Sequence, residues 1–237
     1  CYNEQENIDH LFNKIDLLLN YSKNYKNFDI YVSLIDNGST DNTRKKIFSN
    51  NKKYINFKDK INVLLIDENN GYGNGILKGV INSDADYIAW THSDLQTDPL
   101  DLIKCLSLLK DIKNDLTHKV IIKGNRTNRN ITSNTITFLM TLITFLFTLK
   151  YLPDANAQPK LFSYSLKKHL LHKAPLNLTL DLHLLLVGSK LGYNLKTINV
   201  SFSKRMGSKA KGAGSIKGFF VVSFSVLSYL FKNLISK

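Results

Sequence analysis

The sequence predicts an α/β fold in which a mostly parallel central sheet is flanked by helices. Apolar runs at residues 30–35, 61–66 and 87–91 each end in a polar loop, and helix-like segments separate these runs. This β-α-β-α-β order is typical of an open parallel sheet, in which ligands bind at the carboxyl ends of the strands. The three polar loops therefore predict one shared ligand site.

The elements that flank these strands can be predicted in chain order. The chain opens on CYNEQENIDHLF, which carries turn and helix signals without a strand before them, so we expect the first strand to be missing through truncation. Pro99 suits the first turn of a helix. Leu102, Leu106 and Leu109 then have the spacing of an apolar helix face. Residues 120–123 (VIIK) predict a further short strand.

Two long apolar runs follow, at residues 136–149 and 219–231, interrupted by threonines and serines respectively. Each run falls short of the roughly 18 to 20 apolar residues that span a bilayer. A helix in the head-group region of a membrane and a helix packed on the core remain alternatives for both. Flanking lysines favour membrane contact for the second run. They are Lys209, Lys211, Lys217, Lys232 and Lys237. We therefore divide the chain into a main domain, residues 1–215, and a C-terminal amphipathic, membrane-proximal helix, residues 216–237.

The composition is strongly basic, with 32 Lys and Arg against 19 Asp and Glu and a net charge of +13. This favours an anionic partner, although compositional drift of the source genome explains the lysine excess equally well. The basic residues are scattered and no nucleic-acid-binding motif is present, so no nucleic-acid partner is expected. Cys1 and Cys105 are too few for a disulfide framework, which favours a reducing, cytoplasmic compartment.

The loop after the third strand, HSDLQTDP, contains three side chains that can bind a divalent cation. They are His92, Asp94 and Gln96. In an extended segment alternate side chains point to one face, so we expect these three to converge on a metal ion. Mg²⁺ and Mn²⁺ are the candidates, since both accept carboxylate and amide oxygens. A hydrogen-bonded turn is the alternative role for a lone aspartate.

Several segments resemble, in order, the motifs of inverting GT-A glycosyltransferases of family 2, notably the dolichyl- and polyprenyl-phosphate sugar synthases. The segments are CYNEQENI, LIDNGSTDNT, NNGYGNGILKG, SDLQTDP, KGNR, NAQPKLFS, LTLDLHLLL and SKRMGSK. The resemblance spans nearly the whole chain. It implies the GT-A (nucleotide-diphospho-sugar transferase) fold for residues 1–215.

The resemblance also implies roles for individual residues. Residues expected to bind the nucleotide sugar are Tyr2, Asn3, Glu4, Asp36, Gly71, Gly73, Lys78 and Asp94. Among these, Asp36 would accept hydrogen bonds from the base, and the two glycines would let the backbone approach the nucleotide. Ser39 and Thr40 are expected to cap the following helix.

Residues expected to take part in catalysis are Asp181, Arg126, Arg205 and Lys209. Asp181 would be the general base that deprotonates the acceptor, although capping of its helix is the simpler explanation of its residue type. Arg126, with Lys123 nearby, would bind a phosphate, the alternative being a solvated cationic loop. Arg205 and Lys209 would lie on a mobile loop that closes over the diphosphate.

The chain departs from the family pattern at two positions. His92 stands where the family usually has the first aspartate of the metal loop, which predicts a preference for Mn²⁺ over Mg²⁺ because imidazole tolerates Mn²⁺ better. Asn37 replaces the second aspartate of the D-D-G-S motif, a mild change in a turn.

The predicted function is transfer of a hexose from a UDP- or GDP-sugar to a polyprenyl (dolichyl-type) phosphate. The enzyme is expected to be peripheral on the cytoplasmic face of a membrane, and to depend on Mg²⁺ or Mn²⁺. Two alternatives stay open: a saccharide acceptor in polysaccharide or O-antigen assembly, and a non-catalytic relative that binds nucleotide sugars or glycans.

Overall fold

The computed structural model describes residues 1–24, 28–112, 119–203 and 216–235, which form a mixed α/β structure. The strands are Val32–Asn37 (β1), Ile61–Ile66 (β2), Tyr87–Trp90 (β3), Val120–Thr127 (β4), Lys160–Ser163 (β5) and Asn194–Ser201 (β6). The helices are Ile8–Asn24 (α1), Thr43–Lys53 (α2), Tyr72–Ile81 (α3), Asp101–Ile112 (α4), Ile131–Thr148 (α5), Lys167–Leu171 (α6), Leu180–Lys190 (α7) and Ile216–Ile235 (α8). The predicted strands and the helix after Pro99 are confirmed.

The strands form two sheets. Strands β1 and β2 pair in parallel, and the second sheet has the order β3-β5-β4-β6. Strands β4 and β6 are parallel, whereas β5 runs antiparallel to both of its neighbours. All four residues of β5 are buried, so a place between two strands suits it better than an edge. The sequence analysis did not predict this antiparallel strand.

No ladder joins the two sheets within the described ranges, because β1 pairs with β2 and β3 pairs with β5. Residues of both facing edges, such as Leu34 and Ile88, line one cavity. Cys1 lies beside β1, where its carbonyl accepts a 2.8 Å hydrogen bond from the Asn37 N–H. Among the described residues, no strand therefore lies between β1 and β3.

Helix α7 lies at the centre of the largest core cluster and is buried on nearly every side. A helix buried all round is apolar all round, which explains the run LDLHLLL. Its one histidine, His183, is satisfied internally, since its ring nitrogens lie 2.6 Å from the Tyr229 hydroxyl and 2.9 Å from the Leu170 carbonyl. The contact with Tyr229 attaches α8 to the core.

Helix α5 is longer than the apolar run that predicted it. It begins at Ile131 because the side chain of Asn130 caps it, accepting a 2.8 Å hydrogen bond from the Ser133 N–H. The 18-residue helix has a mean hydropathy of 1.5 with 11% of the window buried, and among the described residues it alone is long and apolar enough to cross a membrane. The expectation that this segment falls short of membrane-spanning length was therefore wrong by that measure.

Candidate active site

A cavity of about 2070 Å³ lies at the carboxyl ends of β1 and β3. The loops after the first three strands contribute polar lining residues, among them Asn37, Asn69, His92 and Asp94. Its volume exceeds the roughly 300 to 1,000 Å³ of most ligand sites, because it includes the space between the two sheets. The predicted convergence of the strand-end loops is confirmed.

The carboxylate of Asp181 lies at the wall of this cavity and is held by several donors. Its Oδ1 accepts hydrogen bonds from Nε1 of Trp90 at 3.2 Å and Nε2 of Gln158 at 2.8 Å. Its Oδ2 accepts one from the hydroxyl of Tyr72 at 3.0 Å. Nζ of Lys160 lies 3.3 Å from Oδ1. The carboxylate therefore faces side chains of β3, β5 and α3 instead of capping α7.

The groups around Asp181 have shifted pKa values. Burial, reinforced by the Asp181 carboxylate, raises the pKa of Tyr72 well above its usual value, so the hydroxyl stays protonated and donates. Burial lowers the pKa of Lys160, and the charge of Asp181 opposes this shift. Hydrogen-bond donors therefore surround the Asp181 carboxylate at neutral pH.

Two arginines share one carboxylate at another part of the cavity. Arg126 donates from both its Nε and Nη2 to Asp154, and Nη1 of Arg129 lies 3.8 Å from the same carboxylate. Burial acts to raise the pKa of Asp154, but the hydrogen bonds and charge of Arg126 outweigh it and the pKa is lowered. The cluster keeps one net positive charge.

The guanidinium groups of this arginine cluster (Arg126 and Arg129 around Asp154) also contact other side chains. Those of Arg126 and Arg129 lie 5.1 and 5.6 Å from the ring centre of Phe202. Nη1 of Arg129 donates a 2.6 Å hydrogen bond to Thr137 of α5. Its Nε is buried and has no hydrogen-bond partner among the described residues. A cationic cluster with an unused donor suits an anionic ligand.

The predicted metal loop is not extended. Leu95 has a φ of +56°, and Oδ1 of Asp94 accepts a 3.1 Å hydrogen bond from the Gln96 N–H. The segment therefore turns, and the predicted convergence of His92, Asp94 and Gln96 through strand alternation was wrong. All three nevertheless line the cavity. Gln96 also contacts the segment before residue 204, since its carbonyl accepts a 2.8 Å hydrogen bond from the Ser203 N–H.

The donor set of this loop fits a divalent cation. Burial lowers the pKa of His92, although Asp94 and Asp181 oppose the shift, so the ring is neutral near pH 7 and can act as a ligand. Its ring lies 5.3 Å from that of Tyr72. No group of three or more His, Cys, Asp or Glu residues with metal-site geometry occurs in the described part of the chain. Asp94, His92 and the Gln96 amide would therefore need further oxygens, such as those of a diphosphate.

Comparison with known proteins identifies the family. The sequence model of glycosyl transferase family 2 matches residues 1–176. The chain belongs to glycosyltransferase family 2. No curated protein matches the sequence.

The fold of this glycosyltransferase is found in solved structures. Glucosyl-3-phosphoglycerate synthase from Mycobacterium tuberculosis, in complex with Mn²⁺, UDP and glucosyl-3-phosphoglycerate, is 15% identical with a TM-score of 0.67, covering 98% of this chain and 76% of that chain. The same enzyme with Mn²⁺, UDP and phosphoglyceric acid is also 15% identical, with a TM-score of 0.68 and coverages of 98% and 75%. A further mycobacterial protein is 15% identical, with a TM-score of 0.64 and coverages of 97% and 71%. These likenesses establish the GT-A fold.

The glycosyltransferase brings most of its predicted site residues to the cavity wall. The predicted residues that line it are Tyr2, Asn3, Glu4, His92, Asp94, Gln96, Arg126 and Asp181. Asn3 and Glu4 are positioned by the segment after β1 and the start of α2, because the Asn3 N–H donates to Ser39 at 3.1 Å and the Glu4 N–H to Thr43 at 2.7 Å. Ser39 and Thr40 therefore bind Asn3 rather than cap α2, which begins at Thr43, so that prediction was wrong.

Other predicted nucleotide-binding residues lie away from the cavity wall. Asp36 is fully buried, with its carboxylate 2.6 Å from Nε of Arg44 and 3.1 Å from the Ser39 N–H. Lys78 is exposed on α3. Their contacts with the nucleotide stay predictions.

The two glycines make close backbone contacts within the protein. A Cβ at Gly71 would lie 2.5 Å from the Leu176 carbonyl oxygen, and one at Gly73 the same distance from that of Pro175. Both positions therefore require glycine even without a ligand. Arg205 and Lys209 lie outside the described residues, and their predicted role also stays a prediction.

Several side chains of this site had no role predicted from the sequence. They are Tyr72, Trp90, Arg129, Asp154, Gln158 and Lys160. Two of them could have been noticed in the sequence. Trp90 is the single tryptophan and ends the strand before the metal loop. Asp154 is the one acidic residue between Arg129 and Gln158. The others are recognisable only from their contacts.

Proposed function

We propose that this glycosyltransferase transfers a hexose, with inversion, from a UDP- or GDP-sugar to a polyprenyl phosphate on the cytoplasmic face of a membrane. One observation carries the proposal: a buried carboxylate, Asp181, and a net-cationic pair, Arg126 and Arg129, line the same cavity. A carboxylate can take a proton from the nucleophile, and an arginine pair can hold the phosphate that bears it.

Asp181 would act as the base toward the acceptor oxygen, which attacks the anomeric carbon while the nucleotide diphosphate leaves. Trp90, Tyr72 and Gln158 orient its carboxylate, which keeps its lone pairs in fixed directions. A phosphate monoester has a second pKa of about 6, so near that pH it still carries a proton to be removed. The base therefore matters most toward acidic pH.

The leaving diphosphate would be held at the metal loop. Asp94, His92 and Gln96 would bind Mg²⁺ or Mn²⁺, and the solved structures of glucosyl-3-phosphoglycerate synthase contain Mn²⁺ and UDP. When bound, the cation would neutralise charge on the departing diphosphate. Arg205 and Lys209, in the segment that follows Ser203, would add positive charge.

The wall next to the arginines supports an acceptor with an apolar tail. Beyond Arg129, the cavity is lined by one face of α5 and by α8, where Ile136, Met140 and Val226 lie among Thr137, Thr141, Thr144 and Ser223. A phosphate at the arginines would therefore place an attached hydrocarbon chain along a wall that includes these apolar side chains. This arrangement favours a lipid phosphate over a saccharide acceptor.

A water-soluble phosphorylated acceptor is the second candidate, since the arginine cluster would hold any phosphate. The solved structures support it, because those of glucosyl-3-phosphoglycerate synthase include complexes with phosphoglyceric acid and with glycerol 3-phosphate.

An acceptor competition separates these candidates. The protein is supplied with Mn²⁺, one donor sugar and equal concentrations of a detergent-dispersed polyprenyl phosphate, 3-phosphoglycerate and a saccharide. We expect glycosylated polyprenyl phosphate as the main product. Glycosylated phosphoglycerate alone would favour the second candidate, and a glycosylated saccharide alone would contradict the arginine assignment.

A further inference from the structure

Helix α5 exposes large apolar side chains that a helix on a water-exposed surface would bury, while two of its threonines are buried. Thr141 and Thr144 face the protein and are 7% and 4% exposed, and their hydroxyls bond to carbonyls of their own helix. On its outward side, by contrast, Phe138 and Leu146 are 63% and 66% exposed. Helices on a water-exposed surface place phenylalanine and leucine inward and threonine outward.

The exposed apolar residues of α5 form one stripe. They are Ile131, Phe138, Leu139, Leu142, Phe145 and Leu146, and exposed Leu149 directly follows the helix. Their spacings of three, four and seven residues place them on one side of the helix. Thr132, Asn134 and Thr135 are exposed in the first turns, so the apolar surface is continuous from Phe138 onward. Such a surface marks a site of contact with an apolar partner.

The charges around this stripe select a lipid surface as the partner. Helix α5 contains no charged residue, no Asp or Glu occurs from residue 127 to residue 153, and the exposed Lys150 follows the helix. Tyr151, exposed beside Lys150, has the amphipathic ring found at membrane interfaces. The net charge of +13 adds attraction to anionic head groups. A protein partner would typically require some charged or hydrogen-bonding groups at the rim.

The inner face of α5 decides how the helix would meet the bilayer. Thr137 bonds to Arg129, and Met140 and Phe147 contact Ser223 and Phe231 of α8, so this face packs on the protein and lines part of its cavity. A helix with one face packed on its own domain cannot be surrounded by lipid. It would lie in the plane of the interface.

We infer that the outward stripe of α5 is the surface by which this enzyme docks on an anionic bilayer. The inference rests on the proposed function, which it deepens, because the same helix lines the cavity on its inner face. A lipid phosphate acceptor could then pass from the bilayer to the arginine cluster along one helix.

Co-sedimentation with phosphatidylglycerol–phosphatidylcholine vesicles tests the inference without donor or acceptor. The double variant Phe138→Ser/Leu146→Ser removes the most exposed large side chains of the stripe and should weaken vesicle binding by roughly a hundredfold. The matched control Leu17→Ser/Ile81→Ser removes exposed apolar residues from α1 and α3 and should bind like the wild type. Equal binding by the stripe variant and the wild type would overturn the inference.

Two further measurements keep the result independent of folding and of catalysis. Phe138→Trp adds a second fluorophore to Trp90, the single native tryptophan. We expect brominated lipid to quench the added fluorescence. An unquenched signal would overturn the inference. Sedimentation velocity that finds a wild-type dimer and a monomeric stripe variant, with vesicle binding unchanged, would assign the stripe to a second copy instead. Vesicle binding without any glycosyl transfer would contradict the proposed function and leave the docking surface standing.

Discussion

The indole N–H of Trp90 donates a hydrogen bond of 3.2 Å to the carboxylate of Asp181, joining the end of β3 to the first turn of α7 across 91 positions of sequence. Both residues are buried. Since β3 also leads directly into the metal loop, this contact sets the position of the proposed base relative to Asp94. Catalysis requires the base to be held at a fixed distance and orientation relative to the reacting groups.

Asp181→Asn is expected to lower kcat by about 10²- to 10⁴-fold, the usual contribution of a general base. The amide removes the basic oxygen while keeping a similar volume. The defect should grow as the pH falls toward the second pKa of a phosphate, about 6, because the acceptor then retains a proton. Steady-state kinetics from pH 6 to 8.5 would measure this, and a defect of constant size would argue for a purely structural carboxylate.

The matched control is Trp90→Phe, which keeps an aromatic ring in the core but removes the indole donor. We expect a smaller loss of kcat, about tenfold, with donor affinity unchanged, because the remaining donors still hold Asp181. Equal losses in both variants would mean that orientation alone accounts for the effect of Asp181.

Much of the fold was predictable from sequence, because buried strands and amphipathic helices leave local patterns. Residues 61–66 and the helix after Pro99 are examples. The antiparallel strand β5 was not predicted, since KLFS is too short for a periodicity and its neighbours are set by tertiary pairing. The turn at Leu95 was missed because a positive φ at leucine has no sequence signature.

The site was predictable where a motif carried it and not where long-range contacts did. Asp94, Arg126 and Asp181 reach the cavity as expected from the family resemblance. The ion pair between Asp36 and Arg44 could not be inferred from the sequence, because Arg44 is one of several basic residues in a polar helix. Tyr72 is 109 positions from Asp181, and only the folded chain brings the two together.

The metal loop predicts a higher rate with Mn²⁺ than with Mg²⁺, because the neutral imidazole of His92 replaces a carboxylate and suits Mn²⁺ better. His92→Asp should raise the Mg²⁺-supported rate relative to the Mn²⁺-supported rate. Initial rates with each ion at saturating donor would test this. Equal rates with both ions in the wild type would exclude His92 from the metal site.

Replacing the arginine and replacing the aspartate of the arginine cluster should have different effects on the KM for a phosphate acceptor. Arg126→Gln should raise the KM for a phosphate acceptor by about 10- to 100-fold, since a charge-assisted hydrogen bond is lost. Asp154→Asn removes the competing carboxylate and should leave that KM unchanged or lower. Thermal unfolding controls for the loss of the buried ion pair. A raised KM in both variants would point to structural disruption instead of phosphate binding.

The buried Lys123 should make the free energy of unfolding depend on pH. Burial lowers its pKa from 10.5 to about 7, and its Nζ donates to the carbonyls of Gly124 and Asp154. Between these two pKa values the unfolded chain binds a proton that the folded chain does not. The free energy of unfolding should therefore rise with pH from about 7 to 10.5, by an amount on the order of a few kcal/mol from this group.

Urea denaturation at pH 7, 8.5 and 10 would measure this rise. Lys123→Met should flatten it, whereas Lys78→Met, at an exposed position of α3, should preserve it. The lowered pKa of buried Lys160 contributes in the same direction, so a residual slope is expected in Lys123→Met. An unchanged slope in that variant would show that Lys123 is charged in the folded protein.

The most direct test of the account is the mass of the acceptor after reaction. The protein is incubated with Mn²⁺, a polyprenyl phosphate and, in separate reactions, UDP-glucose, UDP-N-acetylglucosamine and GDP-mannose, and the lipid is analysed by mass spectrometry. We predict that one donor adds a single sugar to the lipid phosphate, and that Asp94→Asn and Asp181→Asn variants of unchanged thermal stability add little or none. Unmodified lipid with all donors, or full product from Asp94→Asn, would contradict it.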